Sequence, residues 1–271
     1  RLNMFLRTVN RVRISVDSFF ADTFDDLFDA VYSISWESII PRDGKITVTA
    51  KSVKSKLFTV SSIQSIVKKA ICERLKAKHN VLSLSEDGEE YSVEAAAFMD
   101  NFEISLDTSG EGLHKRGYRS MVWTAPLRET LAAAILMLSV WKKDRALIDP
   151  FTGSGTIPIE AALIATNTAP GLYRSFAFEK FKYAPGVIER VREEAKDKED
   201  LNLSARISGF DINPKAIKLA VKHAEAAGMK KFIHFQTADM RTISSRYSHG
   251  VMVANPPYGE RLMDEENLKA L

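Results

Sequence analysis

Ala146-Leu147-Ile148-Asp149-Pro150-Phe151-Thr152-Gly153-Ser154-Gly155-Thr156 decides the fold class. A short apolar run ends on an acid, passes through a turn with two glycines, and enters the strongly apolar stretch 157–165. Strand, glycine-rich turn and helix form the opening unit of a doubly wound α/β domain, whose ligands sit at the carboxyl ends of the strands. The turn lacks the Gly-Lys-Ser/Thr of a triphosphate loop. It also lacks the third glycine of the dinucleotide fingerprint. A carboxylate at Asp149 would repel a pyrophosphate and attract a cationic amine. The expected ligand therefore carries a positively charged amino group.

Downstream, residues 169–204 interrupt the βαβ rhythm and are expected as an insertion packed on this domain. The rhythm resumes at Ile207-Ser208-Gly209-Phe210-Asp211. An acid closing the second strand is placed to hold a ribose diol. Asn213-Pro214 opens a helix that ends at Gly228. Phe232-Ile233-His234-Phe235 reads as the third strand, followed by Ala238-Asp239-Met240. There a carboxylate can accept from an adenine amino group while the thioether packs on the ring.

The fourth strand, Gly250-Val251-Met252-Val253, runs into Ala254-Asn255-Pro256-Pro257-Tyr258-Gly259. Each proline fixes φ and lacks an N–H, so the pair ends the strand and stiffens the turn. The Asn255 amide oxygen and the Pro256 carbonyl can accept both hydrogens of one NH2 group, and Tyr258 can stack on a planar base. The plain alternative is a rigid Pro-Pro loop.

Upstream, Thr124-Ala125-Pro126-Leu127-Arg128-Glu129 opens the domain, with Pro126 near the first turn of a helix whose apolar face is Leu127, Leu131, Ala134, Ile135 and Leu138. A linker, 110–123, precedes it and contains Leu113-His114-Lys115-Arg116-Gly117-Tyr118-Arg119. Cations around a tyrosine suit RNA; an ordinary connector reads equally well. Residues 1–109 form a separate β-α-β-α-β-β module. Thr23 caps its first helix, Ser61 or Ser62 its second, and a hairpin turns at Asp100-Asn101. Between Arg42 and Lys78 stand ten basic residues, Lys51, Lys54, Lys56, Lys68 and Lys69 among them, against Asp43 and Glu73. Such a patch suits a phosphate backbone, or is a solvated face without a partner.

The whole chain sets bounds. Its 271 residues suit one large or two ordinary domains. No apolar run reaches the roughly 18 residues of a membrane span. The single cysteine, Cys72, excludes an internal disulfide and a cysteine-cluster zinc site, and fits a reducing cytoplasm. The first residue is not Met, so the chain is expected to begin inside a longer protein.

Asp149 with its glycine turn, Asp211, Asp239 and Asn255-Pro256-Pro257-Tyr258 each close a strand, in that order. Each acid alone reads as a turn residue. Together they resemble the class I S-adenosylmethionine-dependent methyltransferases that modify exocyclic amines. More closely, the chain resembles the THUMP-domain RNA guanine-N2 methyltransferases of the RlmL type. The likeness rests on 113–119, 125–133, 148–161 and 255–262. It implies a THUMP-like RNA-binding module at 1–109 and a Rossmann-like methyltransferase domain at 124–271, C-terminally incomplete because no fifth to seventh strand follows. It also implies that Asp149, Pro150, Phe151, Gly153, Gly155 and Thr156 surround the methionine part of S-adenosyl-L-methionine. Thr124, Ala125 and Pro126 then lie beside its amino-acid end. Asp211 and Ile212 hold the ribose side, and Asp239 with Met240 the adenine. Asn255 to Tyr258 take the target base, and Lys115, Arg116 and Arg119 join the lysines on RNA, in the cytoplasm and without a metal. The favoured substrate is 23S rRNA. Guanine N2 in tRNA, adenine N6 in DNA and a non-catalytic RNA-binding protein are the rivals.

Overall fold

A computed structural model describes residues 1–119, 126–181, 186–202, 206–245, 247 and 249–256. The described chain forms two compact units. One comprises Arg11–Gly112 with Ser175–Glu189; the other comprises Arg1–Asn10, Leu113–Arg174 and the chain from Arg190 onward. The helical turn α1 (Leu2–Phe5) belongs to the latter.

In the first unit, β1 (Arg13–Phe20), α2 (Phe24–Ser33), β2 (Lys45–Val53), α3 (Val60–His79), β3 (Glu90–Phe98) and β4 (Asn101–Asp107) follow in the expected order. The sheet order is β1-β4-β3-β2, with β2 and β3 parallel and the other pairs antiparallel. The parallel pair needs a crossover, which α3 supplies. Thr23 caps α2, its side chain accepting from Asp26 N at 3.1 Å. Neither Ser61 nor Ser62 caps α3. Buried Leu57 brings the chain in early, so the helix begins at Val60 behind Thr59. The hairpin turns one residue earlier than expected, at Met99-Asp100, both left-handed (φ 49° and 62°). Asn101 is thereby released to pair with Phe98. The core lies between one sheet face and the helices, around Leu27, Val31, Trp36, Ile63, Ile71, Tyr91 and Phe102.

The stretch 169–204 is not a single insertion on the second domain. Its middle, Ser175–Glu189, belongs to the first unit. Phe181 is buried there and stacks on Tyr91 with centroids 4.8 Å apart. Phe176, Phe178 and Phe181 supply the apolar surface that draws it in.

The second unit holds α4 (Glu129–Leu138), β5 (Ala146–Asp149), α5 (Thr156–Ala165), most of α6 (Val187–Asp197), β6 (Ile207–Asp211), α7 (Pro214–Ala226), β7 (Ile233–Thr237) and β8 (Gly250–Met252). Its sheet is parallel throughout, in the order β7-β6-β5-β8. The order reverses at β5, so the switch point falls between β5 and β8, where a doubly wound sheet opens a ligand crevice. Nine of the ten residues of α5 are buried. A helix buried all round can carry a charge only if that charge is paired.

Candidate active site

Because the four strands are parallel and in register, their last residues share one edge. Asp149 pairs with Gly209, Asp211 with Thr237, and Ile148 with Met252. Val253 N continues the pairing to Ile148 O at 3.0 Å, which brings Asn255, half-buried, and Pro256, exposed, to the same edge as Asp149. Pro257 and Tyr258 lie outside the described residues, as do Thr124 and Ala125. Pro126 is half-buried and precedes the helix rather than starting it: α4 begins at Glu129 behind Arg128.

The glycine turn is tied to β6. Thr152 N donates to Phe210 O at 2.8 Å, and Gly153 N donates to Asp211 Oδ2 at 2.9 Å. Gly153 has φ +50°, and a Cβ placed on it would meet nothing within 4 Å. Gly155 is the reverse case: at φ +87° its Cβ would come 2.9 Å from Ala220 Cβ. One glycine leaves room for a ligand and the other lets α5 approach α7. Gly155→Ala combines left-handed strain with overlap, so it should lower unfolding free energy by about 2 kcal/mol or more in a urea titration. An unchanged midpoint would contradict this packing. Beneath the turn, the ring of buried His223 reaches Ser154 O through Nδ1 at 3.1 Å. A carbonyl only accepts, so Nδ1 carries the proton. Burial holds the imidazole pKa below its ordinary value.

Asp149 is 1% exposed. Burial pushes its carboxyl up from 3.8 to about 7, against the Phe151 N–H that donates to it at 3.2 Å. The folded state thus keeps a proton that the unfolded chain loses near pH 4. The stability this supplies is complete below that pH and is lost as pH rises through about 7. Ligand-free protein should therefore weaken between about pH 4 and about pH 7 relative to Asp149→Asn, by up to about 4 kcal/mol. Thermal melts of both proteins across that range check this; parallel profiles would refute it. A cationic amine at this position reverses the effect, because it favours the carboxylate.

Pro150 and Thr156 are buried and Phe151 half-buried, in the turn and at the start of α5. Asp211 accepts from Gly153 N and, through Oδ1, from Asn213 N at 2.8 Å. Ile212 beside it is 69% exposed, an apolar surface offered to solvent at the strand tip. Asp239 follows β7, and both its oxygens accept from the Arg241 guanidinium, at 2.5 to 3.1 Å. That partner holds its carboxyl down at about 2. Met240 is half-buried.

Of the linker cations only Lys115 is exposed. Arg116 is not a surface contact for RNA: its side chain is 2% exposed and faces Glu160, which is 0% exposed, at 3.4 Å. Its NH1 donates to Leu113 O and its NH2 to Arg7 O. Tyr118 OH completes the cluster by donating to Glu160 Oε1 at 3.3 Å. Arg7 adds its charge nearby and donates to Leu163 O and Thr168 O. Arg119 is also turned inward, to Thr156 Oγ1 at 2.7 Å and Glu129 at 3.4 Å. Sequence reasoning missed Glu160 and His223. The signal for Glu160 was a lone acid inside an apolar helix, which must find a cation.

On the first unit, Lys51 pairs with Glu94, Lys56 with Asp22 and Lys68 with Glu86, while Lys69 lies over the Phe28 ring. Glu37 takes Arg74 and Lys78. Five of the ten cations between Arg42 and Lys78 thus pair with acids outside that window. Exposed pairs of this kind are weak and can be exchanged for phosphate. Among the described residues no cluster of His, Cys, Asp and Glu could hold a metal ion, and no helix is long and apolar enough to cross a membrane.

A parallel sheet with acid-tipped strands around a glycine turn defines a Rossmann-like methyltransferase fold. The chain belongs to the family of the RMKL-like methyltransferase domain, whose model matches residues 116–271; the THUMP domain model matches 21–107. It is 43% identical over 274 residues to YpsC of Bacillus subtilis, described as a candidate RNA methyltransferase, spanning 100% of this chain and 71% of that one. It is 35% identical to the ribosomal RNA large subunit methyltransferase K/L of Buchnera aphidicola, covering 99% of this chain but 40% of that protein. Among solved structures, a protein of Listeria monocytogenes described as a predicted N6-adenine-specific DNA methylase superposes with a TM-score of 0.95 at 43% identity, covering 100% of this chain and 72% of that one. SMU.472, described as a candidate methyltransferase and solved in complex with SAH, gives 0.92 at 39% identity, covering 99% and 72%.

Proposed function

We propose that the chain transfers a methyl group from S-adenosyl-L-methionine to the exocyclic N2 of a guanine in RNA, with rRNA the favoured substrate. The observation that carries this is the convergence of Asp149, Asp211, Asp239 and Asn255 at one sheet edge. The residues present fit the cofactor. Buried Asp149 matches a cationic amine, and the open space over Gly153 admits a ligand against the backbone. Thr152 is buried next to them, its hydroxyl set against the Asp149 carboxyl. Asp211 retains lone pairs for a ribose diol, and Ile212 and Met240 offer apolar faces to the adenine. When bound, the cofactor supplies an electrophilic methyl on a sulfonium.

The chain's own part is placement and polarisation. Asn255 Oδ1 and Pro256 O accept the two NH2 hydrogens, which orients the nitrogen lone pair and relieves positive charge as it develops. A base in a helix cannot reach this edge unless it leaves its stack. The THUMP match and the names of the YpsC and K/L relatives favour RNA, and the K/L name favours rRNA. Labelled methyl transfer to total rRNA, tRNA and DNA, followed by nucleoside analysis, tests the reading. N2-methylguanosine in rRNA is the expected product. N6-methyladenine in DNA as the only product would overturn it.

A further inference from the structure

In the first unit, the strand pairings align Phe20, Asn101, Phe98 and Val53 as one row across all four strands. Side chains alternate along a strand, so the row next to it, Phe19, Phe102 and Ala97, settles the direction. Those three face the core, and Phe20, Asn101, Phe98 and Val53 therefore point to the face away from α2 and α3. All four are exposed. Phe20, Phe98 and Val53 keep 61%, 55% and 51% of their surface in water. Exposed rings clustered at one edge, rather than scattered singly, are the pattern that marks a contact surface.

Asp100 knits this edge together. It accepts from Lys56 N at 2.6 Å, its N–H donates to Ser55 Oγ at 3.0 Å, and its carbonyl takes Ala21 N at 3.0 Å. The loop carrying Lys54 and Lys56 is thereby held against the row. Lys54 sits at φ 53°, where glycine would be free of strain, and its ammonium has no acidic partner among the described residues. Asn101 Nδ2 donates to Met99 O at 3.0 Å, which leaves its amide oxygen open.

We infer that this edge is a single-stranded RNA platform, with Phe20 and Phe98 stacking bases, Asn101 reading a base edge, and Lys54 and Lys56 taking phosphate. The two rings are two strands apart, about 10 Å, room for a base on each. Beyond the row the open face turns polar, with Thr47, Ser92, Glu94 and Glu103, so no apolar strip continues to receive a protein helix. Rings interrupted by an amide and bordered by ammonium groups match a nucleic-acid strand instead. The inference rests on RNA being the substrate.

The test uses the full chain and a fluorescein-labelled single-stranded RNA of about 12 nucleotides, read by anisotropy. Phe20→Ala/Phe98→Ala should bind about 10-fold or more weakly, with SAH affinity and Tm unchanged, and Phe98→Tyr should retain binding. Lys54→Gln should lower the slope of log affinity against log salt by about 1. Equal binding by wild type and the double variant would overturn the platform and leave the RNA reading standing. Failure of the wild type to bind RNA would sink that reading itself. Loss of self-association in the double variant with RNA binding intact would identify the face as a protein contact and likewise overturn the platform.

Discussion

Asn255→Ala should reduce methyl transfer by about 10²-fold or more while SAH binds nearly as before. Removing an amide that acts only on the reacting nitrogen takes away stabilisation made in the transition state, so kcat should fall with little change in KM. The side chain stands at the end of β8, beside β5, and β8 is held to β5 by backbone pairing that the substitution leaves alone. The residues proposed to hold the cofactor, Asp149, Gly153 and Asp211, belong to β5, the turn after it and β6. Single-turnover transfer from labelled cofactor, with calorimetry of SAH, separates the two effects. A variant that turns over near the wild-type rate would remove Asn255 from the chemistry. One that loses SAH binding as well would make it a cofactor residue instead.

Glu160→Ala should cost about 3–5 kcal/mol of unfolding free energy. Glu160 is fully buried, and burial alone pushes its carboxyl pKa up, opposed by the Arg116 guanidinium. Deleting it leaves Arg116 buried with no counter-charge and deprives the Tyr118 hydroxyl of its acceptor. The damage spreads through what Arg116 holds, the carbonyls of Leu113 and Arg7. The pair itself adds little net stability compared with apolar replacements, because desolvating two charges offsets their attraction. Arg116→Leu/Glu160→Met should therefore recover most of the loss. Urea titrations of the single and double variants form the test. A single-variant loss below about 1 kcal/mol would mean that water reaches the cluster.

Much of this protein lies in short-range pattern. The order β-α-β-α-β-β, the Thr23 cap, the Asn213-Pro214 helix start and the acids that close three strands are all set by neighbours a few residues apart. Turn chemistry, capping and apolar period act over that range, and so the stretch from Ala146 to Thr156 could announce a doubly wound sheet. Strand order is legible only through the parallel connections that helices impose. The exact hairpin turn was not, because Asp100 is held by Ala21, Ser55 and Lys56 from two other parts of the chain.

By itself, then, the sequence determined which segments fold as strands and helices, and which chemical groups stand at the strand ends. Tertiary structure alone decided where the charges went. It buried Arg116 against Glu160, 44 positions away, and gave Arg74 and Lys68 to Glu37 and Glu86. It also gave Arg1–Asn10 to one unit and Ser175–Glu189 to the other. Coulomb attraction and apolar burial depend on distance in space and are indifferent to separation along the chain, so no count of neighbouring residues could have assigned those partners.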